Sequence, residues 1–383
     1  MVRSTGSTWQ KVRRAAAERA AVAPFPSPDA EHWRYSRIDQ LSLADFTPAA
    51  TPTTIAGPLD HVTRVDADAA TTPDAIGGLF DDVATDSLEL FAALNLANMD
   101  VVVVRVPANT VVSEPIVVTH DFTDGSRAYF PRLVIDAGAN SEVTVVERFV
   151  SNDARILVVP ALDVRTAQAA RVRYLSINEL GPSAWLIGEQ HAVGQRDSDT
   201  LIATVALGGD YSRVSTAARL MGQGGNTRQV ALYFAGGDQM HDFRTLQEHV
   251  APRTTSDLLF KGAVQDTAKS VYTGLIKIHK DAKGSAAFQT NRNLTLSHGA
   301  WAESVPNLDI ETNDVKCSHA STVGPIDEDQ LFYLESRGVR PEVAERLVVL
   351  GFFDEVLAQL PVGELAEPLR AKVAAKLNVG TAS

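Results

Sequence analysis

The spacing of apolar residues changes character twice along the chain. Up to about Asn98 the pattern is mixed. Ser7 can cap a helix running to about Ala23, where Pro24, Pro26 and Pro28 stop it. A second helix from about Asp86 to Asn98 is predicted by Leu90 and Leu94, four apart, with Phe91 beside them. The Pro-, Thr- and Ala-rich stretch from Thr47 to Pro58 reads as a loop or linker.

From Asp100 to about Lys316 the helical period is lost. Short runs rich in β-branched residues replace it: Val101 to Val106, Arg132 to Asp136, Glu142 to Phe149, Arg171 to Ile177 and Thr200 to Leu207. Arg228 to Phe234, Ser270 to Ile278 and Ala286 to Leu296 continue the series. Between them lie turn signals, Gly208-Gly209-Asp210, Gly224-Gly225-Asn226 and Gly236-Gly237-Asp238, at irregular intervals. Such a pattern suits a sandwich, a barrel or a β-helix. The segment is too long for one sandwich and shows no duplication, whereas a solenoid takes any length because each coil packs only on its neighbours.

After Gly324 the helical period returns. Asp327 is placed to cap a helix from Glu328 to Arg337, and Gly338 suits the position just past its end. Pro341 fits the first turn of the next helix, which carries Val343, Leu347 and Leu350, then Phe352 and Phe353. Pro361 ends it, and a last helix spans about Glu364 to Leu377. The expected organisation is therefore a mixed region over 1–98, a β core over 99–320 and a helical domain over 321–383.

Composition narrows the function classes. Of 383 residues, 45% are hydrophobic and 21% charged, enough to build a sizeable core. A net charge of −12 argues against nucleic-acid binding, which needs clustered Lys and Arg. The amino terminus is broken by Lys11, Arg13, Arg14, Glu18 and Arg19, so it does not read as a signal peptide. No apolar run is long enough to span a bilayer, and the single Cys fits a reducing, cytoplasmic setting. The chain has no Gly-Lys pair, hence no phosphate-binding Walker loop, and neither a Gly-x-Ser-x-Gly elbow nor a His-Glu-x-x-His helix.

The chemistry that remains is Cys317 and His319. Two apart on an extended strand they face the same way, and both ligate iron or zinc when deprotonated. A cluster wants about four ligands, so any site here needs more from a partner chain or from distant residues. The plainer alternative makes Cys317 a small apolar residue and His319 a turn residue. His241 and His249 share a strand face but lie far apart along it. Asp309 with Glu311 is a carboxylate pair of the kind glycosidases use, though with 47 acidic residues such coincidences are cheap.

A longer set of motifs lies in the carboxyl-terminal half: Asn291-Arg292-Asn293-Leu294-Thr295-Leu296-Ser297, Pro306-Asn307-Leu308-Asp309-Ile310, Asp314-Val315-Lys316-Cys317-Ser318-His319, Thr322-Val323-Gly324 and Leu331-Phe332-Tyr333-Leu334-Glu335-Ser336-Arg337-Gly338. With Thr255-Ser256-Asp257, Phe260-Lys261-Gly262 and Ser270-Val271-Tyr272-Thr273-Gly274 they span about Arg244 to Gly351. In that order they closely resemble the SufB/SufD family of iron–sulfur cluster assembly proteins. Glu31-His32-Trp33-Arg34-Tyr35 resembles the amino-terminal motif of its SufD branch.

The resemblance implies a mainly β protein: a right-handed parallel β-helix core with a helical N-terminal region and a C-terminal helical domain. It implies a non-enzymatic scaffold that pairs with a SufB-like paralogue and docks a SufC-like ABC-type ATPase through its terminal helices. Leu347, Phe352 and Phe353 then either pack on the β-helix end or form the surface that docks the ATPase, and His319 and Cys317 are candidate ligands at the cluster-assembly interface. The cargo would be a nascent iron–sulfur cluster, transient and shared with the partner, with no tightly bound cofactor in the isolated chain. A homodimer in isolation also fits. The competing expectation is a carbohydrate-active β-helix enzyme, a polysaccharide lyase or hydrolase, against which the 7% aromatic content and the helical tail both count.

Overall fold

The computed structural model describes residues 8–65, 79–80 and 84–379. Its centre is a parallel β-solenoid of eight coils, each contributing one strand to sheet A and one to sheet B. The coils pair Asp100–Val106 with Ile116–Phe122, Pro131–Ala137 with Glu142–Ser151, Ala161–Thr166 with Arg171–Glu179, and Trp185–Gly194 with Asp199–Ala206. The last four pair Tyr211–Leu220 with Asn226–Ala235, Met240–His249 with Thr255–Val264, Lys269–Ile278 with Ser285–Thr295, and Trp301–Ile310 with Val315–Gly324. The expected mainly β, parallel β-helix architecture is thus present.

Coil spacing is more regular than the glycine turns suggested. Tyr211 pairs with Met240 and Met240 with Lys269, steps of 29 residues, with Trp185 to Tyr211 (26) and Lys269 to Trp301 (32) as the shortest and longest steps. Gly208-Gly209 and Gly236-Gly237 occupy one corner of the solenoid and Gly224-Gly225 the opposite one, so a periodic structure produces an uneven sequence spacing. At the corner from sheet A to sheet B the same left-handed turn recurs in Asn109, Asn140, Ala169, Asp197, Gly224, Arg253 and Gly284, with φ between 55° and 75°. Each of these residues donates its backbone N–H to a carbonyl of the following coil, as Ala169 does to Arg196 (2.9 Å) and Arg253 to Lys283 (2.9 Å). The corner is stitched coil to coil like the sheets themselves.

The Thr47–Pro58 stretch is not a free linker. Thr53–Ala56 pairs antiparallel with Ile116–Phe122, and Val62–Val65 pairs antiparallel with Asp100–Val106. These two short strands cover both open edges of the first coil. The prolines around them hid the pairing, which exists because an uncovered strand edge is a template for unwanted association. Ser7, the expected cap, lies outside the described residues; the helix it would start, α1, runs Thr8–Val22.

Helix α2, Leu90–Asn98, packs on α1 and buries Phe91 and Leu96 against the outer face of sheet A. At the other terminus the expected helices form as α3 (Glu328–Ser336), α4 (Pro341–Leu357) and α5 (Ala366–Val379). The Asp327 side chain accepts from the backbone N–H groups of Asp329 and Gln330, and Gly338 takes φ +84° just past α3. The buried faces of α4 and α5 lie on the outer face of sheet B, on Val230, Leu232, Phe234 and Leu259. No described helix is long and apolar enough to cross a membrane.

Candidate functional site

The two ends of the solenoid differ. The first coil is covered by antiparallel strands, whereas the strands of the eighth, ten residues each, pair only inward, with Lys269–Ile278 and Ser285–Thr295. Both outer edges of that coil are open to solvent. Pro306 sits in the last strand of sheet A, where a missing backbone donor is tolerated because the strand is at an edge. Lumen-facing residues of this coil are exposed as well: Leu308, Ile310 and Val323 belong to the exposed large hydrophobics.

Cys317 and His319 lie in this mouth. Val315 and Cys317 pack against Ile276, Ile278, Ala282 and Ala287 of the seventh coil, which fixes the inward face of their strand. By alternation His319 faces inward too, in register with Gln289 one coil below. The sequence expectation that the pair shares a face is met. Burial raises the Cys317 thiol above its ordinary range, so at neutral pH it is the protonated thiol, a weak ligand. His319 is exposed. Among the described residues no group of three or more His, Cys, Asp or Glu is arranged to hold a metal ion.

The lumen beneath the mouth is unusually polar. Tyr233 donates to Asn293 Oδ1 (2.7 Å) and accepts from Asn291 Nδ2 (2.9 Å), and Asn293 Nδ2 donates to Asn291 Oδ1 (2.8 Å). Tyr272 and Thr245 share a hydroxyl–hydroxyl bond of 2.9 Å. His249 is held between Thr254 Oγ1 (2.7 Å) and Ser256 Oγ (2.8 Å), and burial lowers its pKa to about 4. His241, on the same lumen face, is lowered to about 3, first by burial and then by the charge of Lys376. Tyr233, Tyr272, Asn291 and Asn293 lie in strands the sequence already marked, whereas His241, Thr245 and His249 lie in Met240–His249, a strand whose polar lumen face hid it from the apolar pattern. Asp309 is tied to Lys277 (3.3 Å) and Glu311 Oε2 accepts from the Lys280 N–H (3.2 Å), so each carboxylate pairs with a neighbouring coil rather than flanking a cleft with the other.

The Glu31–Arg37 segment is a strap across the outer face of sheet A. Arg213 and Arg244 flank the fully buried Asp242, and each donates to a strap carbonyl, Arg213 to His32 (2.5 Å) and Arg244 to Arg34 (2.7 Å). Arg37 Nη2 closes the strap on Asp210 Oδ1 (2.7 Å). Tyr35, at φ +68°, turns its ring toward Trp301 at the start of the eighth coil (5.7 Å between centroids).

The helical candidates separate. Phe353 is fully buried, its ring 6.5 Å from that of Phe234 on sheet B, so it belongs to the core and presents no docking surface. Phe352 is half-buried beneath the Lys261 ammonium (4.7 Å), which also donates to the Phe352 carbonyl (2.9 Å) and pairs with Glu355 (2.5 Å). Leu347 is 47% exposed. Phe332 and Tyr333 on α3 are more open, at 72% and 58%, and Val343 on α4 is exposed too. Helical spacing in the sequence does not distinguish these faces; the position of sheet B does.

The SUF system FeS cluster assembly, SufBD core domain, matches residues 120–352. An iron–sulfur cluster assembly SufBD family protein of Mycobacterium leprae is 39% identical over 219 residues, 55% of this chain and 56% of the relative. The iron–sulfur cluster assembly protein SufD of Escherichia coli is 30% identical over 247 residues (64% and 58%), and that of Bacillus subtilis 30% over 280 residues (71% and 63%). The matched segments span just over half the length of the first two relatives and under two thirds of the third.

Proposed function

The chain belongs to the SufBD family of iron–sulfur cluster assembly proteins, and from that premise we propose that it is a SufD-type scaffold without catalytic activity of its own. The observation that carries this reading is the contrast between the solenoid ends: one closed by its own strands, the other offering two parallel edges and an exposed lumen. A SufB-like partner with a matching open coil would continue both sheets across that end, satisfying the free backbone groups and burying Leu308, Ile310 and Val323.

Pairing at this end places His319 inside the joint, where the partner supplies the remaining ligands for a nascent cluster handled as cargo. Cys317 becomes a ligand only if the joint lowers its thiol pKa, as a bound metal does. The exposed apolar residues of α3 and α4, Phe332, Tyr333, Val343 and Leu347, form the docking face for a SufC-like ATPase; Phe352 lies at its buried margin.

Co-expression of the tagged chain with its partner chains, as wild type and as His319→Ala, tests the reading. Capture of a SufB-like paralogue and a SufC-like ATPase, with cluster yield falling at least tenfold in His319→Ala while the complex stays intact, supports it. An intact complex with undiminished cluster yield removes His319 from the site. Capture of the chain without partners, where a known complex of this kind survives, overturns the scaffold role.

A further inference from the structure

Gln289 lies one coil below His319 in the same lumen column, the two residues being direct partners in the parallel ladder. Partnered strands run about 4.8 Å apart, so the two side chains are next neighbours in the lumen column. Gln289 is only 2% exposed, yet neither its Nε2 nor its Oε1 has a hydrogen-bond partner. Its lumen neighbours on the same strand, Asn291 and Asn293, are tied into the Tyr233 network. A buried primary amide with all its capacity unused is expensive, and is retained where something else completes it.

The amide is also given room. Its nitrogen and oxygen both lie over the backbone of Gly274 on the opposite sheet, where a Cβ would sit 2.7 Å from each. The Tyr272 hydroxyl converges on the same spot. Gly274 is itself in register with Pro306 of the eighth coil, so the amide lies under the middle of the mouth.

We propose that Gln289 is a positioning residue for His319: turned from Gly274 toward the mouth, its unpartnered amide offers its carbonyl oxygen to the inward ring N–H of the imidazole. The bond fixes one neutral tautomer and leaves the other ring nitrogen bare, facing the partner side of the mouth. Ligating histidines elsewhere are oriented in this way by a hydrogen bond to their second nitrogen. This rests on the reading of His319 as a ligand only for its purpose, since the coupling itself belongs to the isolated chain.

The test is ¹⁵N spectroscopy of the histidine rings in the isolated, uniformly labelled chain at one alkaline pH, with His319 assigned by its loss in His319→Ala. The wild type should show one protonated and one bare ring nitrogen for His319. Gln289→Leu should move both signals toward the averaged values of an exchanging imidazole, and Gln289→Glu, which keeps an acceptor, should restore the separation. Because Gln289→Leu is a core substitution, a second measurement needs no change at Gln289: the side-chain NH₂ signals of Gln289 should shift between wild type and His319→Ala. Unchanged His319 signals in a folded Gln289→Leu chain, or Gln289 signals indifferent to His319→Ala, overturn the proposal. A coupling seen here alongside undiminished cluster yield in His319→Ala would instead refute the ligand role and leave the positioning contact standing.

Discussion

The Arg213 guanidinium lies 4.0 Å from the centre of the Trp33 ring, joining a strap near the amino terminus to a strand of the fifth coil. The same side chain pairs with buried Asp242 and donates to the His32 carbonyl, so one residue holds the aromatic ring, the backbone and the charge. The Trp-Arg-Tyr motif therefore has a structural explanation: Trp33 is the anchor, Arg34 supplies a carbonyl to Arg244, and Tyr35 makes the left-handed turn.

Removing that anchor should be severe. Arg213→Ala leaves Asp242 with Arg244 as its remaining cationic partner and uncovers Trp33, and a loss of about 3–5 kcal/mol is expected. Urea unfolding followed by tryptophan fluorescence measures it. A loss below about 1 kcal/mol would mean the strap is not held through this residue.

The recurrent corner turn offers a stabilising change. Ala169 adopts φ 55°, a conformation that burdens a β-carbon by about 1–2 kcal/mol. Ala169→Gly should raise stability by about 0.5–1 kcal/mol after the extra entropy of the unfolded glycine is subtracted. Asn140 tolerates the same turn and donates to Asn109 Oδ1 (3.1 Å), so Asn140→Gly should gain nothing. Thermal midpoints of the two variants, compared with the wild type, decide.

The lumen histidines make stability depend on pH. His241 and His249 are neutral in the folded chain down to about pH 3 and 4, whereas in the unfolded chain each takes a proton below about 6.5. Between those limits the unfolded state binds more protons. The histidine contribution is therefore complete above about pH 6.5 and is lost as the pH falls, by up to about 2.7 kcal/mol per pH unit for the two together. His241→Leu should remove close to half of that slope between pH 4.5 and 6, measured by urea midpoints at each pH. An unchanged slope would mean that His241 is protonated in the folded chain.

Docking through the exposed helical face predicts a division between its apolar residues. Phe332→Asp and Leu347→Asp should abolish capture of the ATPase without altering the thermal midpoint by more than a few degrees, because both side chains face solvent. Phe353→Ala should instead destabilise the chain by about 3–5 kcal/mol as its core contact with Phe234 is lost. Normal capture by the Phe332 and Leu347 variants would move the docking face elsewhere.

Gly262 predicts a packing failure. A Cβ there would run into the ring of Tyr233, itself locked by Asn291 and Asn293. Gly262→Ala should cost about 1–3 kcal/mol, and adding Tyr233→Leu should recover part of it. Additive losses in the double variant would show that the two do not meet.

What the sequence determined by itself was periodic or local. The helical caps at Asp327, Gly338 and Pro341, the apolar strands from Val101 to Leu296 and the shared face of Cys317 and His319 all follow from spacings of two to four residues, which backbone geometry enforces wherever the chain lies. The family motifs added the order of the domains. What only the tertiary structure decided were relationships across a coil repeat of 26 residues or more, for which no local period exists. Thr53–Ala56 became an edge cover because the first coil lay open beside it, and Phe353 became core because sheet B lay beneath α4. Gln289 came under His319 because two parallel strands share a register, and hydrogen-bonding register between distant segments is a property of the assembled sheet, absent from either segment alone.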